Sequence, residues 1–194
     1  FDINNAEQAQ SLRQRLLDAA AGQLTVNRVQ KRERRRNPAP PFITSTLQQE
    51  ASRKLRFSAS RTMRIAQQLY EGVEIEGGKQ GLITYMRTDS VNLADEAIAE
   101  LRQVIAKEYG QDALPPKPHS YNTKSRNAQE AHEAIRPTSA AFTPARMASF
   151  LNDDQKKLYE LIWKRTMACQ MIHATMDTVT VEFDASEELS LIHI

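Results

Sequence analysis

Three prolines within Asn37-Pro38-Ala39-Pro40-Pro41 stiffen this 194-residue chain and place a domain boundary near residues 37–42. Before the boundary, Asn5 stands where a helix cap belongs and Gln8 holds the capping-box position. Ala9, Leu12, Leu16 and Ala20 follow at helical spacing, and Gly22 ends the helix. Leu24-Thr25-Val26-Asn27-Arg28-Val29 is strand-like. The run Lys31-Arg32-Glu33-Arg34-Arg35-Arg36 suits a phosphate backbone, but such runs are more often a solvated strand end or linker.

After the boundary the chain is dominated by helical periods. Thr44 or Ser45 caps a helix with Gln48 three residues after Ser45, and Leu47, Ala51 and Leu55 form its buried stripe. Arg56-Phe57-Ser58 is a short turn. A second helix over about 60–70 carries Met63, Ala66, Leu69 and Tyr70 inward and stops at Gly72. Two short helices with a tight joint are helix-turn-helix-like. Between Ala51 and Arg64 lie five basic residues, Arg53, Lys54, Arg56, Arg61 and Arg64, and no acidic one. That cluster is a nucleic-acid candidate; an exposed helical surface has the same pattern. Glu76–Gly81 is a flexible turn. Ser90 or Asn92 then caps a long helix with Leu93, Ala97, Ile98, Leu101, Ile105 and Tyr109 on its core face, ended by Gly110. Residues 111–127 form a loop. A short helix over about 128–135 stops at Pro137 and sets His132 and Arg136 on one face, four residues apart. A lone helical histidine is usually structural. Another short helix lies within 142–150. Asn152 opens the last long one, where Tyr159 and Trp163 are packing groups. Thr178–Phe183 alternates as a strand does.

The stretch Gly81-Leu82-Ile83-Thr84-Tyr85-Met86-Arg87-Thr88-Asp89-Ser90 carries the chemistry. Extended, it puts Tyr85, Arg87 and Asp89 on one side and Thr84, Met86 and Thr88 on the other. A phenol, a permanent cation and a carboxylate on one edge can address a phosphate as nucleophile, clamp and orienting group. Spacing alone favours a plainer reading, an aromatic on a half-buried strand beside an exposed Arg–Asp pair.

Composition narrows the class. The chain is 26% charged and 6% aromatic, as in soluble helix-rich proteins, and its net charge of +2 is too small to argue for a polyanion by itself. No run of eighteen apolar residues exists, so no membrane partner is expected. The start has no signal-peptide pattern and no initiator methionine, and is expected to lie mid-protein. The single cysteine, Cys169, excludes an internal disulfide and a cysteine-cluster metal site, which suits a reducing cytoplasm.

Three blocks in order carry a family resemblance. Ile83–Ser90 resembles the active-site segment of type IA DNA topoisomerases; Pro41–Ala51 resembles the segment upstream of the tyrosine; Ala128–Thr138 resembles the downstream histidine segment. Met86, and Glu133 with Arg136, fit the bacterial topoisomerase I branch, since the topoisomerase III branch usually has proline after the tyrosine. The resemblance implies a mainly α fold with a minor β part. A helical, tyrosine-bearing domain over 43–172 is inserted in a split, truncated β-rich arch domain, made of 1–42 and a returning strand in 173–188. Strands of so partial a domain are expected to lack partners.

The resemblance also implies the reaction: reversible cleavage of single-stranded DNA through a 5′-phosphotyrosyl intermediate, strand passage and religation, relaxing negative supercoils without ATP. Tyr85 would be the nucleophile, with Arg87 and His132 acting on the phosphate. The DNA-contacting set would be Arg136, Asp89, Ser90, Arg53, Lys54 and Arg61. Asp89 and Ser90 are expected to hold Arg87 and cap the next helix; Glu133 takes no role. Mg2+ would be bound by a TOPRIM domain outside this chain, so no metal ligand is expected within it. The partners would be single-stranded or negatively supercoiled DNA and the remaining domains of the same polypeptide, in the cytoplasm at the nucleoid. A non-catalytic single-stranded DNA-binding module is the alternative. A tyrosine recombinase would need its arginines and histidines in an order not found here. Leu189–Ile194 departs from the family pattern and spells one reading frame of a transposon-end adapter, and is expected to be non-native. Sequencing intact genomic DNA across these codons should give different ones; the same six codons would contradict this.

Overall fold

The computed structural model describes residues 3–121, 133–186 and 189–193. In chain order the elements are α1 (Ala6–Ala20), β1 (Thr25–Arg36), α2 (Thr44–Leu55), α3 (Ala59–Glu71), β2 (Val73–Ile75), β3 (Gly78–Gln80), α4 (Asp95–Tyr109), α5 (Pro144–Met147), α6 (Asp153–Ala168), β4 (Ala174–Ser186) and β5 (Leu189–His193). The chain forms two compact units, one of residues 1–36 and 174–194, the other of residues 37–173.

In the first unit, the Asn5 side chain accepts from the Gln8 amide at 2.8 Å, and the Gln8 side chain accepts from the Asn4 amide at 2.8 Å. Asn5 caps as expected, but Gln8 reaches the amide of Asn4 rather than that of the cap residue, so the capping box is not closed. α1 ends at Ala21 in the left-handed region, φ 46°, followed by Gly22. β1 runs antiparallel to β4 from Thr25 opposite Asp184 to Arg36 opposite Ala174, and β5 adds to the far edge of β4. The basic run is not a linker: it is the exposed second half of β1, a solvated strand end whose backbone is paired with β4 along its whole length. The strands do not lack partners; each supplies the other's. None of residues 3–36 and 174–184 is buried.

The second unit holds the core. Leu47 and Ala51 of α2, Ile65 and Leu69 of α3, Leu101 and Ile105 of α4, and Leu158 and Ile162 of α6 are buried together. α2 ends at Arg56, φ 60°, which turns the chain so that Phe57 is buried and the Ser58 hydroxyl accepts from the Arg61 amide at 3.2 Å. Neither Thr44 nor Ser45 caps α2. The Ile43 amide instead donates to the Thr46 hydroxyl at 3.0 Å, and the Thr44 hydroxyl is used elsewhere. The Glu76–Gly81 turn is a closed hairpin, β2 against β3. α4 starts at Asp95, later than Ser90 or Asn92 would place it. Tyr159 and Trp163 are buried as expected, with Tyr159 donating to Phe142 O at 2.6 Å and Trp163 Nε1 to Ala140 O at 3.0 Å. Arg165 of α6 fixes the proline segment: it lies 4.4 Å from the Phe42 ring centroid and donates to Pro40 O at 3.3 Å. Among the described residues, no helix is long and apolar enough to cross a membrane.

Two consequences are measurable. A Cβ on Gly81 would lie 2.7 Å from the Tyr70 carbonyl oxygen, a backbone atom that cannot swing aside. Gly81→Ala should therefore lower stability by about 1–3 kcal/mol, and an unchanged urea midpoint would contradict this close approach. Burial pushes the Cys169 thiol up from 9.0 to about 12. An unfolded thiol releases its proton near 9.0 while the native one keeps it, so stability should fall as pH rises from 9 to about 12. The same burial should leave Cys169 unlabelled by disulfide reagents at pH 8 until the protein unfolds; rapid labelling of the native chain would contradict it.

Candidate active site

The tyrosine stretch is not part of a regular sheet. It is held as an extended strip by its neighbours on three sides. At its start, the Leu82 amide donates to Leu69 O in the last turns of α3 at 2.8 Å. In its middle, the Thr84 amide donates to Arg136 O at 2.9 Å, and the Arg136 amide donates to the Thr84 hydroxyl at 2.9 Å. That hydroxyl also donates to Ala134 O at 2.6 Å. Towards its end, the Thr44 amide donates to Thr88 O at 2.9 Å, and the Thr88 amide donates to the Thr44 hydroxyl at 2.9 Å. The Thr44 hydroxyl donates in turn to Met86 O at 2.8 Å. Phe42 and Ile135 bridge the two outer blocks, with the Ile135 amide donating to Phe42 O at 2.8 Å.

With both edges tied, side chains alternate as the extended reading requires. Met86, Thr88 and Ser90 are buried; Tyr85, Arg87 and Asp89 are exposed. Tyr85 is 43% exposed and its ring meets that of Tyr70 edge-on, centroids 5.3 Å apart and planes at 63°. The sequence pattern had put Tyr70 in the core of α3, but it is 42% exposed. Its proximity to Tyr85 appears only once the β2–β3 hairpin folds the chain back, and no periodicity signals that.

The downstream block is also corrected. Residues 133–136 are extended rather than helical, because their backbone pairs with Thr84 and Phe42 instead of with itself. His132 lies outside the described residues. Arg136 turns inward: its side chain is 15% exposed, pairs with Glu133 at 2.8 Å and donates to Pro137 O at 2.9 Å. It is a clasp rather than a presented DNA contact. Glu133, without a role in the sequence reading, accepts from the Ala94 amide at 2.7 Å and so caps α4 from outside the helix. Ser90 is buried and builds the turn before α4: its amide donates to the Thr88 hydroxyl at 3.0 Å, and its own hydroxyl accepts from the Asn92 amide at 3.1 Å. Neither Ser90 nor Asp89 holds Arg87, which has no ion-pair partner among the described residues.

The family model for DNA topoisomerase matches residues 1–192. The chain is 56% identical to DNA topoisomerase 1 of Xylella fastidiosa strain Temecula1 over 97% of its own length, and 54% identical to that of Rickettsia prowazekii over 92%. It belongs to the bacterial type IA DNA topoisomerase family. The full-length topoisomerase I of Thermotoga maritima is similar in structure, with a TM-score of 0.70 and 44% identity over 85% of this chain and 26% of that one. The chain spans about a quarter of the curated relatives it matches, 23% in both cases above.

For a topoisomerase, the disposition of surface cations matters. Arg53 and Lys54 pair with Glu50 at 3.5 and 3.0 Å, an acid just outside the basic window, and Lys54 beside it holds that carboxyl below its usual range. Arg61 binds Asp154 through Nε and Nη2 at 2.7–2.9 Å and lies over the Phe57 ring, tying α3 to α6. Arg56 and Arg64 are exposed without an ion-pair partner among the described residues. No three His, Cys, Asp or Glu side chains among the described residues are grouped to hold a metal ion. Removing the cap and clasp together by Glu133→Ala should cost about 1–3 kcal/mol and speed amide exchange at the start of α4; wild-type exchange there would contradict the assignment.

Proposed function

We propose that Tyr85 is the nucleophile of a reversible single-strand DNA cleavage that relaxes negative supercoils. The observation that carries this is the exposure of Tyr85 and Arg87 on one side of a strip clamped at both edges. The phenolic oxygen attacks phosphorus; the deoxyribose O3′ leaves and takes up a proton. The enzyme is then joined to the 5′ phosphate, and the free 3′ hydroxyl reverses the step after strand passage. One phosphate ester replaces another, so no ATP is needed and supercoil strain drives the net change.

A tyrosine phenol in water ionises near pH 10, so only about one in a thousand is phenolate at neutral pH. Negative charge gathering on phenol and phosphate needs a fixed cation. Arg87 is always charged, forks onto phosphate oxygens, and no acid neutralises it among the described residues. His132 is assigned to the scissile phosphate by the family resemblance alone. Asp89, exposed on the same side of the strip, is assigned to orient the guanidinium once DNA is bound. Arg56 and Arg64 are better placed than the paired Arg53, Lys54 and Arg61 to take DNA phosphates.

The residues described here do not fit a magnesium site, so no step is routed through one; the Mg2+ of the reaction is assigned to the rest of a longer polypeptide. The substrate is single-stranded or negatively supercoiled DNA, met in the cytoplasm at the nucleoid. The unit of residues 1–36 and 174–194 is read as part of the arch domain. The unpaired Arg56 and Arg64 favour one second reading for the chain alone, a DNA-binding module without catalysis.

Reconstitution with the remaining domains of a relative should give a covalent DNA adduct on denaturation. Tyr85→Phe should abolish it while leaving most single-stranded DNA binding. An adduct that persists in Tyr85→Phe would overturn the assignment, and robust relaxation by the chain alone would overturn the division of labour.

A further inference from the structure

The backbone around Tyr85 is clamped at Thr84 and Thr88, so the freedom left to this side chain is that of its own two torsions. Nothing among the described residues bonds its hydroxyl, and the ring contact with Tyr70 is what bears on its rotamer. Tyr70 is itself set by the fold. The residue before it, Leu69, accepts from the Leu82 amide at 2.8 Å, and Gly81 sits against the Tyr70 carbonyl with no room for a Cβ. Gly72, at φ 106°, then starts the hairpin that returns the chain to Gly81. The hairpin base therefore fixes the distance between two rings fifteen residues apart in sequence. Both rings remain more than two-fifths exposed, so this is not a core contact kept for burial.

We propose that Tyr70 is a positioning residue, holding the Tyr85 ring edge-on in the rotamer from which its phenol reaches the scissile phosphate. This rests on reading Tyr85 as the nucleophile. Edge-to-face contacts bias a rotamer population by roughly two- to tenfold, which sets the size of the effect.

The test uses the chain reconstituted with the remaining topoisomerase domains, with single-turnover cleavage and single-stranded DNA affinity measured separately. Tyr70→Ala should slow cleavage by roughly two- to tenfold with Kd unchanged, and Tyr70→Phe, which keeps the ring, should restore the rate. In the chain alone, NMR couplings of Tyr85 should show one χ1 rotamer in the wild type and averaging in Tyr70→Ala. If Tyr70→Ala does not fold, Tyr70→Leu takes its place with the same expectation. Full-rate cleavage in the Ala or Leu variant, failure of Phe to restore the rate, or a loss that appears in Kd instead would overturn the proposal. The last result would make Tyr70 a base-stacking platform. If Tyr85→Phe still forms the adduct, the nucleophile itself is wrong, which is a different failure from a dead Tyr85→Phe beside a full-rate Tyr70→Ala.

Discussion

Thr84 and Thr88 bracket Tyr85, and the chain ties both positions with the same pair of hydrogen bonds. On one edge Thr84 gives its amide to Arg136 O and its hydroxyl takes the Arg136 amide; on the other, Thr44 gives its amide to Thr88 O and its hydroxyl takes the Thr88 amide. A backbone strip with no sheet to join would otherwise leave these groups unpaired, at a cost comparable to a lost hydrogen bond for each. The threonine hydroxyls complete the pairing without a continuous ladder. The alternation of buried Met86 and Thr88 with exposed Tyr85 and Arg87 follows from the strip being held straight.

The clamp also explains why three separated blocks of sequence act together. Thr44 opens α2 and binds the tyrosine strip; Arg136 answers from the other side; Ile135 and Phe42 close the circuit between them. Glu133 extends it by capping α4 and holding the Arg136 guanidinium. Polar side chains that look solvent-directed in sequence are thereby spent on geometry. Tyr85, in turn, sits on an irregular segment given the rigidity of the helices around it, as functional side chains on loops commonly are.

Much of this was legible in the sequence and some was not, for physical reasons. The period-two reading put Tyr85, Arg87 and Asp89 on the exposed side and Met86 and Thr88 on the buried one, as observed, because both edges of the strip are paired and steric alternation then decides; Ile83, on the exposed period, is buried all the same. The caps at Asn5 and Asn152 are local, and local chemistry reads well. Residues 133–135 read as helix because their propensity is helical, yet long-range pairing with Thr84 and Phe42 prevailed. Arg61 and Arg136 looked like free cations because their acids, Asp154 and Glu133, are brought in by folding and by a non-helical turn. Tyr70 was hidden by its place on the apolar period of α3. The basic half of β1 concealed a strand because charge says nothing about a backbone paired across the ladder.

The most direct measurement is the mass of the peptide that carries DNA. After the adduct is trapped, digested with nuclease and cut with trypsin, residual nucleotide should be found on Gln80–Arg87, in which Tyr85 is the only tyrosine. The account predicts that mass on that peptide. Nucleotide on Ile65–Lys79, which holds Tyr70, or on any other peptide, would contradict it.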